Sequence, residues 1–214
     1  MMVAVKICGL SEPVTLQAAL EAGADMVGFV FYERSPRNVG IEQAASLANM
    51  ARGKAAIVAL VVDADDKALH LIAQRVRPDF IQAHGNETPG RVLEIQKLTG
   101  IRVIKAIKVL EASDVASAKA YHGKAALILF DAKAPENLVG ALPGGNGISF
   151  DWKLLNNTAD QFMLSGGLNP DNVSRAIAAT HAPIVDVSSG VESSPGVKDI
   201  SLIWKFIERA KAAG

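Results

Sequence analysis

Short apolar runs alternate with amphipathic stretches along the chain. The first run, Val3-Ala-Val-Lys-Ile-Cys-Gly9, is rich in β-branched residues and reads as a buried strand. Similar runs recur at Asp25–Phe31, Ala55–Val62, Pro78–His84, Ile101–Lys108, Ala125–Asp131, Gln161–Leu164 and Pro183–Val187. Between them, apolar residues fall at helical spacing. Leu16, Ala19 and Leu20 follow a cap at Ser11 and precede a stop at Gly23. Ile41, Ala44, Ala45 and Ala48 mark a second helix, and Ala68, Leu69, Ile72 and Val76 a third, capped by Asp65. Thr88-Pro89 opens a fourth, which Gly100 closes. The stretch Glu111–His122 predicts a weaker helix, and Asp151–Leu155 a short one. Asn169-Pro170 opens the next, and Asp199–Ala212 forms the last, with Ile203, Phe206, Ile207 and Ala210 on one face.

Eight strand–helix units with no break in composition result. Near-continuous apolar strands belong to a parallel sheet covered by helices. Eight of them predict an α/β protein, a single-domain (β/α)8 TIM barrel over residues 1–214, in preference to an open doubly wound sheet.

Composition narrows the function classes. Half of the 214 residues are hydrophobic, so a large core is available. Lys plus Arg and Asp plus Glu are 22 each, which gives no basic excess for a nucleic-acid partner. Aromatics are only 5%, too few for a base-stacking platform. A single cysteine excludes an intramolecular disulfide and a cysteine-cluster metal site. The longest apolar run, Ala55–Val62, is far below the roughly 20 residues of a membrane span, and the N-terminal apolar run is too short for a signal peptide. A cytoplasmic protein with no membrane partner is expected, with no second enzyme fused after the last helix.

In a parallel barrel the chemistry gathers at the C-terminal ends of the strands. Cys8 sits there after the first strand, Arg37 beyond the second, His84 after the fourth and Asp131 at the end of the sixth. Each has an ordinary reading beside a functional one. Cys8 is a small buried hydrophobe or a base, and Asp131 a structural acceptor or an acid with a raised pKa. His84 is a structural residue or a metal ligand, though no second ligand sits at a metal-ligand spacing near it, and Arg37 is a surface cation or an anion clamp. Asp186 interrupts the eighth strand and reads as a buried acceptor with a nearby donor. Glycine-rich turns at Gly144-Gly-Asn-Gly147, Ser165-Gly-Gly167 and Ser188-Ser-Gly190 crowd the last third of the chain. Two of them follow strands seven and eight, where barrels commonly hold a phosphate. None matches a nucleotide-binding loop, so neither ATP nor NAD is implied. The loop Ala132–Gly147 is long enough to be functional.

The motifs Lys6-Ile-Cys-Gly9, Gly28-Phe-Val-Phe31 with Ser35-Pro-Arg37, Ile81-Gln-Ala-His-Gly85 and Phe130-Asp-Ala132 occur in that order. Gly144-Gly-Asn-Gly147, Leu164–Val173 and Val185–Glu192 with Pro195-Gly196 and Lys198-Asp199 follow. Together, over essentially the whole chain, they resemble the phosphoribosylanthranilate isomerase family of tryptophan biosynthesis. The resemblance implies an Amadori rearrangement of N-(5-phosphoribosyl)anthranilate, with Cys8 as general base and Asp131 as general acid. It implies that Arg37 binds the anthranilate carboxylate and that His84 and Asp186 contact or orient the substrate. It implies a phosphate held around Gly145, Gly147, Gly166, Gly167, Ser188 and Ser189. No metal and no cofactor are implied, and the partner is a small phosphorylated substrate, taken by a monomer or homodimer. Two positions depart from the family pattern, Asn146 in place of Thr and Ala83 in place of a common Leu. A competing reading is a non-catalytic barrel that binds a phosphorylated ligand. A sugar isomerase on the same fold, acting on a histidine precursor, is disfavoured because strand one would then end in Asp.

The implied protonation states oppose the usual order. With Cys at about 8.5 and Asp at about 3.9, thiol plus carboxylate is favoured over thiolate plus acid by roughly 6 kcal/mol in water. Lys6 or nearby N–H groups are expected to lower Cys8, and desolvation to raise Asp131.

Overall fold

A computed structural model describes residues 3–133, 143–145, 147–156, 158 and 161–214. Eight parallel strands close into a barrel in sequence order: β1 (Ala4–Cys8), β2 (Met26–Phe31), β3 (Ala56–Val61), β4 (Phe80–Ala83), β5 (Arg102–Val109), β6 (Leu127–Ala132), β7 (Phe162–Leu164) and β8 (Ile184–Val187). The helices are α1 (Pro13–Glu21), α2 (Ile41–Ala51), α3 (Asp66–Arg75), α4 (Pro89–Thr99), α5 (Ala112–Ser117), α6 (Val173–Thr180) and α7 (Ile200–Ala212). The expected closed barrel is present, and the open sheet is ruled out by the β1–β8 pairing.

The core divides in two because strand side chains alternate. Val5, Ile7, Val27, Phe29, Ile57, Ala59, Val103 and Val185 point outward and pack with the helices. Met26, Val58, Ile104, Ala106, Leu129 and Met163 form a separate cluster inside the barrel. The inward set continues upward into polar residues. Lys6 and Cys8 follow on β1, and Gln82 and His84 on and just after β4. Asp131 continues the face of Leu129, and Asp186 that of Ile184. The apolar cluster is thus the floor on which the polar groups stand.

Local chemistry sets most helix ends. Asp65 accepts from the Ala68 N–H, Thr88 from Arg91, and Asp199 from Leu202. Along α7, Ile203, Phe206, Ile207 and Ala210 are buried as the spacing predicts. Each large apolar side chain buried this way stabilises the fold by about 1.5–3 kcal/mol. Two starts differ from expectation. Glu12, not Ser11, flanks α1, with Pro13 in the first turn and no side-chain cap. The helix after Asn169 begins four residues later, at Val173. Asn169 Oδ1 instead accepts the N–H groups of Asp171 and Asn172, and Asn172 Oδ1 accepts from Asn169, so a side-chain turn replaces the first helical turn. The weak helix over 111–122 resolves into α5 and a 3-10 turn, Ala118–Tyr121. Asp151 caps a 3-10 turn at Trp152–Leu155.

One element was not anticipated. Between β8 and α7, a 3-10 turn at Ser189–Val191 leads into a small antiparallel hairpin, β9 (Glu192–Ser194) and β10 (Val197–Lys198). It carries two charged residues toward the rim of the barrel. Part of the long loop expected at 132–147, residues 134–142 and 146, lies outside the described residues. Among the described residues, no helix is long and apolar enough to cross a membrane.

Candidate active site

Cys8, Arg37, His84, Asp131, Asp186, Gly145, Gly147, Gly166, Gly167, Ser188 and Ser189 all line one cavity at the C-terminal end of the barrel. Every residue singled out as a site candidate from the sequence is therefore brought to one place. Asn146, the departure from the family pattern in this loop, lies outside the described residues. Ala83 is buried in the layer between sheet and helices.

The first group is built on β1 and β8. Lys6 and Asp186 are direct partners in the strand register, and both side chains turn into the barrel. Lys6 Nζ donates to Asp186 Oδ1 at 2.8 Å, and Ser165 Oγ donates to Asp186 Oδ2 at 3.1 Å. Two residues along β1, the Cys8 thiol shares this environment. Gly28 on β2 makes room for it, because a Cβ there would lie 2.9 Å from Cys8 Sγ. Burial pushes the Cys8 thiol up; Lys6 and Lys198 pull it down, and Asp186 adds to the upward push. The net direction is up, which favours the thiol. The expectation that Lys6 lowers Cys8 is met in sign, but burial outweighs it. For Lys6 itself, burial works against the charge, yet Asp186 and Cys8 together raise its pKa. The ammonium is held in place as a fixed positive charge.

The second group stands on β4 and β6. Asp131 Oδ1 accepts the Ala132 N–H at 2.9 Å, and Oδ2 lies 3.1 Å from His84 Nε2. On the far side of the ring, Gln82 Nε2 lies 2.9 Å from His84 Nδ1. With the amide donating to Nδ1, His84 Nε2–H donates to an Asp131 carboxylate. Turning the amide reverses the chain. His84 Nδ1–H then donates to the Gln82 carbonyl, and Nε2 accepts from a protonated Asp131. In the first arrangement the buried Gln82 Oε1 has no hydrogen-bond partner among the described residues. Gly144 closes over this pair, since a Cβ there would lie 2.7 Å from both Asp131 Oδ2 and His84 Nε2.

The third group involves the hairpin. Arg37 Nε and Nη2 donate to the two oxygens of Glu192 at 2.7 and 2.8 Å, and Nη2 also donates to the Gly145 carbonyl at 3.3 Å. Lys198 Nζ donates to Glu192 Oε1 at 2.6 Å, and to Ser188 O and Oγ at 2.9 and 3.2 Å. Ser188 Oγ in turn donates to the Cys8 carbonyl at 3.0 Å. Burial works to raise Glu192, but Arg37 and Lys198 hold it below the usual carboxylate range. Burial lowers Lys198 and outweighs the opposing pull of Glu192. Glu192 and Lys198 were not among the site residues expected from the sequence, although both sit in quoted motifs. The available signal was a pair of opposite charges six apart, flanking Pro195-Gly196, directly after a strand-end Ser-Ser-Gly.

Glycines form the rim of the cavity. Gly145, Gly147, Gly166 and Gly167 have φ between 64° and 89°, the left-handed region. All four line the cavity, and having no side chain they leave their backbone open to it.

The chain as a whole, in sequence and in fold, is similar to known proteins. A family model described as N-(5'phosphoribosyl)anthranilate (PRA) isomerase matches residues 5–209. The N-(5'-phosphoribosyl)anthranilate isomerase of Parvibaculum lavamentivorans is 49% identical over 215 aligned residues, covering 100% of each chain. The crystal structure of phosphoribosyl anthranilate isomerase from Thermotoga maritima superposes with a TM-score of 0.87 at 37% identity, covering 99% of this chain and 100% of that one. A second such isomerase structure, in complex with reduced 1-(o-carboxyphenylamino)-1-deoxyribulose 5-phosphate, gives a TM-score of 0.85 at 34% identity over 99% and 100% of the two chains. On sequence along its whole length and on fold, the chain belongs to the N-(5'-phosphoribosyl)anthranilate isomerase family of tryptophan biosynthesis.

Proposed function

We propose that Cys8 and Asp131 are the base and the acid with which this chain rearranges N-(5-phosphoribosyl)anthranilate, and that residues 1–214 act as one catalytic barrel. The observation that carries the assignment is the convergence of both side chains, from β1 and β6, on a single cavity with Arg37 and the glycine rim. Arg37 takes the anthranilate carboxylate, and the backbone at Gly145, Gly147, Gly166, Gly167, Ser188 and Ser189 takes the phosphate. The reduced product analogue held by the related structure carries both an aromatic carboxylate and a phosphate. Gripping both ends of the substrate turns binding energy into positioning of the ribose between acid and base.

In the first step Asp131 gives its proton to the furanose ring oxygen. The bond from that oxygen to C1 breaks, and the anthranilate nitrogen lone pair forms a protonated imine. In the second, the Cys8 thiolate takes the proton from C2, and the C2–H electrons move through C1 to nitrogen. The resulting enolamine tautomerises to the ketone, 1-(2-carboxyphenylamino)-1-deoxyribulose 5-phosphate. Each protein-assisted step is a proton transfer, so the two protonation states are the crux.

Lys6 supports the thiolate as a fixed charge, and Asp186 orients Lys6 while opposing the thiolate. The Gln82–His84 chain accommodates Asp131 in either protonation state by turning the amide. His84 thus contributes through Asp131 as well as by lining the cavity. The test is turnover of phosphoribosylanthranilate by the wild type, Cys8→Ala and Asp131→Asn. Loss in both variants, with the product analogue still bound, supports the assignment. Undiminished turnover in either removes that residue from its role.

A further inference from the structure

The Arg37 contacts pose an electrostatic problem. Its guanidinium is already engaged by Glu192 through Nε and Nη2, a bidentate pairing that uses one edge of the fork. Arg37 and Glu192 are both buried, with side-chain exposures of 6% and 4%. Taken alone this pair is neutral, and a neutral pair attracts an incoming carboxylate only through its residual dipole. Glu192, seated behind Arg37, offsets part of the pull that Arg37 exerts on the same carboxylate.

Lys198 changes the balance. Its ammonium contacts Glu192 Oε1 at 2.6 Å, and its side chain is 1% exposed. Arg37, Glu192 and Lys198 then form a cluster of two cations and one anion, with a net charge of +1. Arg37 lines the cavity, whereas Glu192 and Lys198 do not. The surplus charge therefore meets the ligand through Arg37, whose Nη1 takes no part in the Glu192 contacts. Lys198 is itself fixed by Ser188 O and Oγ, on the segment that follows β8.

We propose that Lys198 is a positioning residue for substrate recognition: by compensating Glu192 behind Arg37, it frees the Arg37 charge for the aromatic carboxylate of the ligand. The proposal rests on the reading of Arg37 as the carboxylate anchor. Glu192 then sets the geometry of the guanidinium, and Lys198 pays the electrostatic cost of doing so with an acid.

The experiment compares two probes, the reduced product analogue and the same molecule without the ring carboxylate. Their affinities are measured by calorimetry for the wild type, Arg37→Met, Lys198→Met, Glu192→Gln and the Lys198→Met/Glu192→Gln double variant. If Arg37 is the anchor, Arg37→Met weakens the carboxylated probe selectively. If Lys198 acts as proposed, Lys198→Met weakens the carboxylated probe by about tenfold or more and leaves the other within about twofold. The double variant, whose cluster again has a net charge of +1, recovers most of that loss. A merely structural Lys198 would weaken both probes alike and would not be rescued by removing the Glu192 charge, and either result overturns the proposal. Selective loss in Arg37→Met without selective loss in Lys198→Met overturns the proposal and leaves the anchor reading standing. Absence of selective loss in Arg37→Met overturns both. Lys198→Arg, which keeps the charge, is expected to bind both probes near wild-type levels; should Lys198→Met not fold, Lys198→Gln replaces it, alone and in the double variant.

Discussion

Lys6 Nζ lies 2.8 Å from Asp186 Oδ1, and the two residues face each other directly across the β1–β8 seam that closes the barrel. One ion pair thus joins the first strand to the last and sets the field at Cys8. Replacing Lys6 with Met leaves Asp186 buried without its cation. That variant is expected to lose about 3–5 kcal/mol of stability in urea unfolding, the usual result of breaking a buried pair. Lys6→Met combined with Asp186→Leu is expected to regain much of the stability without regaining turnover. Wild-type stability in Lys6→Met would mean that the pair contributes little.

The pH profile follows from the direction of the Cys8 shift. Burial, with Asp186, holds the thiol above its ordinary value. The base form therefore grows as pH rises through that raised pKa, and kcat/KM of the free enzyme should climb with it on the alkaline side. Asp186 is a negative charge that opposes the thiolate, so Asp186→Asn should move the limb to lower pH. Cys8 is the sole cysteine. Ultraviolet titration of thiolate absorbance, with the same titration of Cys8→Ala subtracted to remove the tyrosines, reads the same group. A limb that moves to higher pH in Asp186→Asn would contradict this electrostatic picture.

Gly144 tests the other half of the site. A methyl group there meets Asp131 Oδ2 and His84 Nε2 at 2.7 Å, closer than real contacts allow. Gly144→Ala should disturb the acid by a fraction of an ångström to an ångström. A fall in kcat of about 10²-fold is expected, because misplacement on that scale costs about this much. Steady-state kinetics on a variant of unchanged melting temperature checks it, and wild-type kcat would show that the segment yields freely.

A structural pair provides a contrast. Lys105 donates to Glu87 Oε2 at 2.8 Å and to the carbonyls of Ala83 and Gly85, while Glu87 accepts the N–H groups of Asp63 and Gly85. This cluster lies on the outer face of the barrel, between Lys105 of β5 and the turn that follows His84. Lys105→Met should cost about 3–5 kcal/mol in stability by stranding Glu87. Its effect on the Cys8 limb of the pH profile should be absent, which separates it from Lys6. A shifted limb would mean that the turn transmits more than position.

Much of this was legible in the sequence. The eight strands could be read because each is a short apolar run, and the strand-end rule then gathered Cys8, His84 and Asp131 without any structural information. Helix ends were legible where a local side chain decides them, as at Asp65 and Thr88. They were misread where a polar side chain had a competing local use, as at Asn169. Long-range partners were hidden. The Lys6–Asp186 contact spans 180 positions, and the Arg37–Glu192 contact 155. No periodicity links such residues, and only barrel closure brings them together. The hairpin carrying Glu192 and Lys198 was missed because its strands are three and two residues long, too short to show an alternating pattern. The direction of the Cys8 shift was equally hidden, since it depends on how burial weighs against two lysines.

The measurement that bears most directly on the whole account is the turnover of phosphoribosylanthranilate by Cys8→Ala, paired with calorimetric binding of the reduced product analogue to the same variant. The account predicts turnover reduced by about 10²-fold or more, as for a missing general base, with analogue affinity within about threefold of wild type. Turnover at the wild-type rate in Cys8→Ala would contradict it.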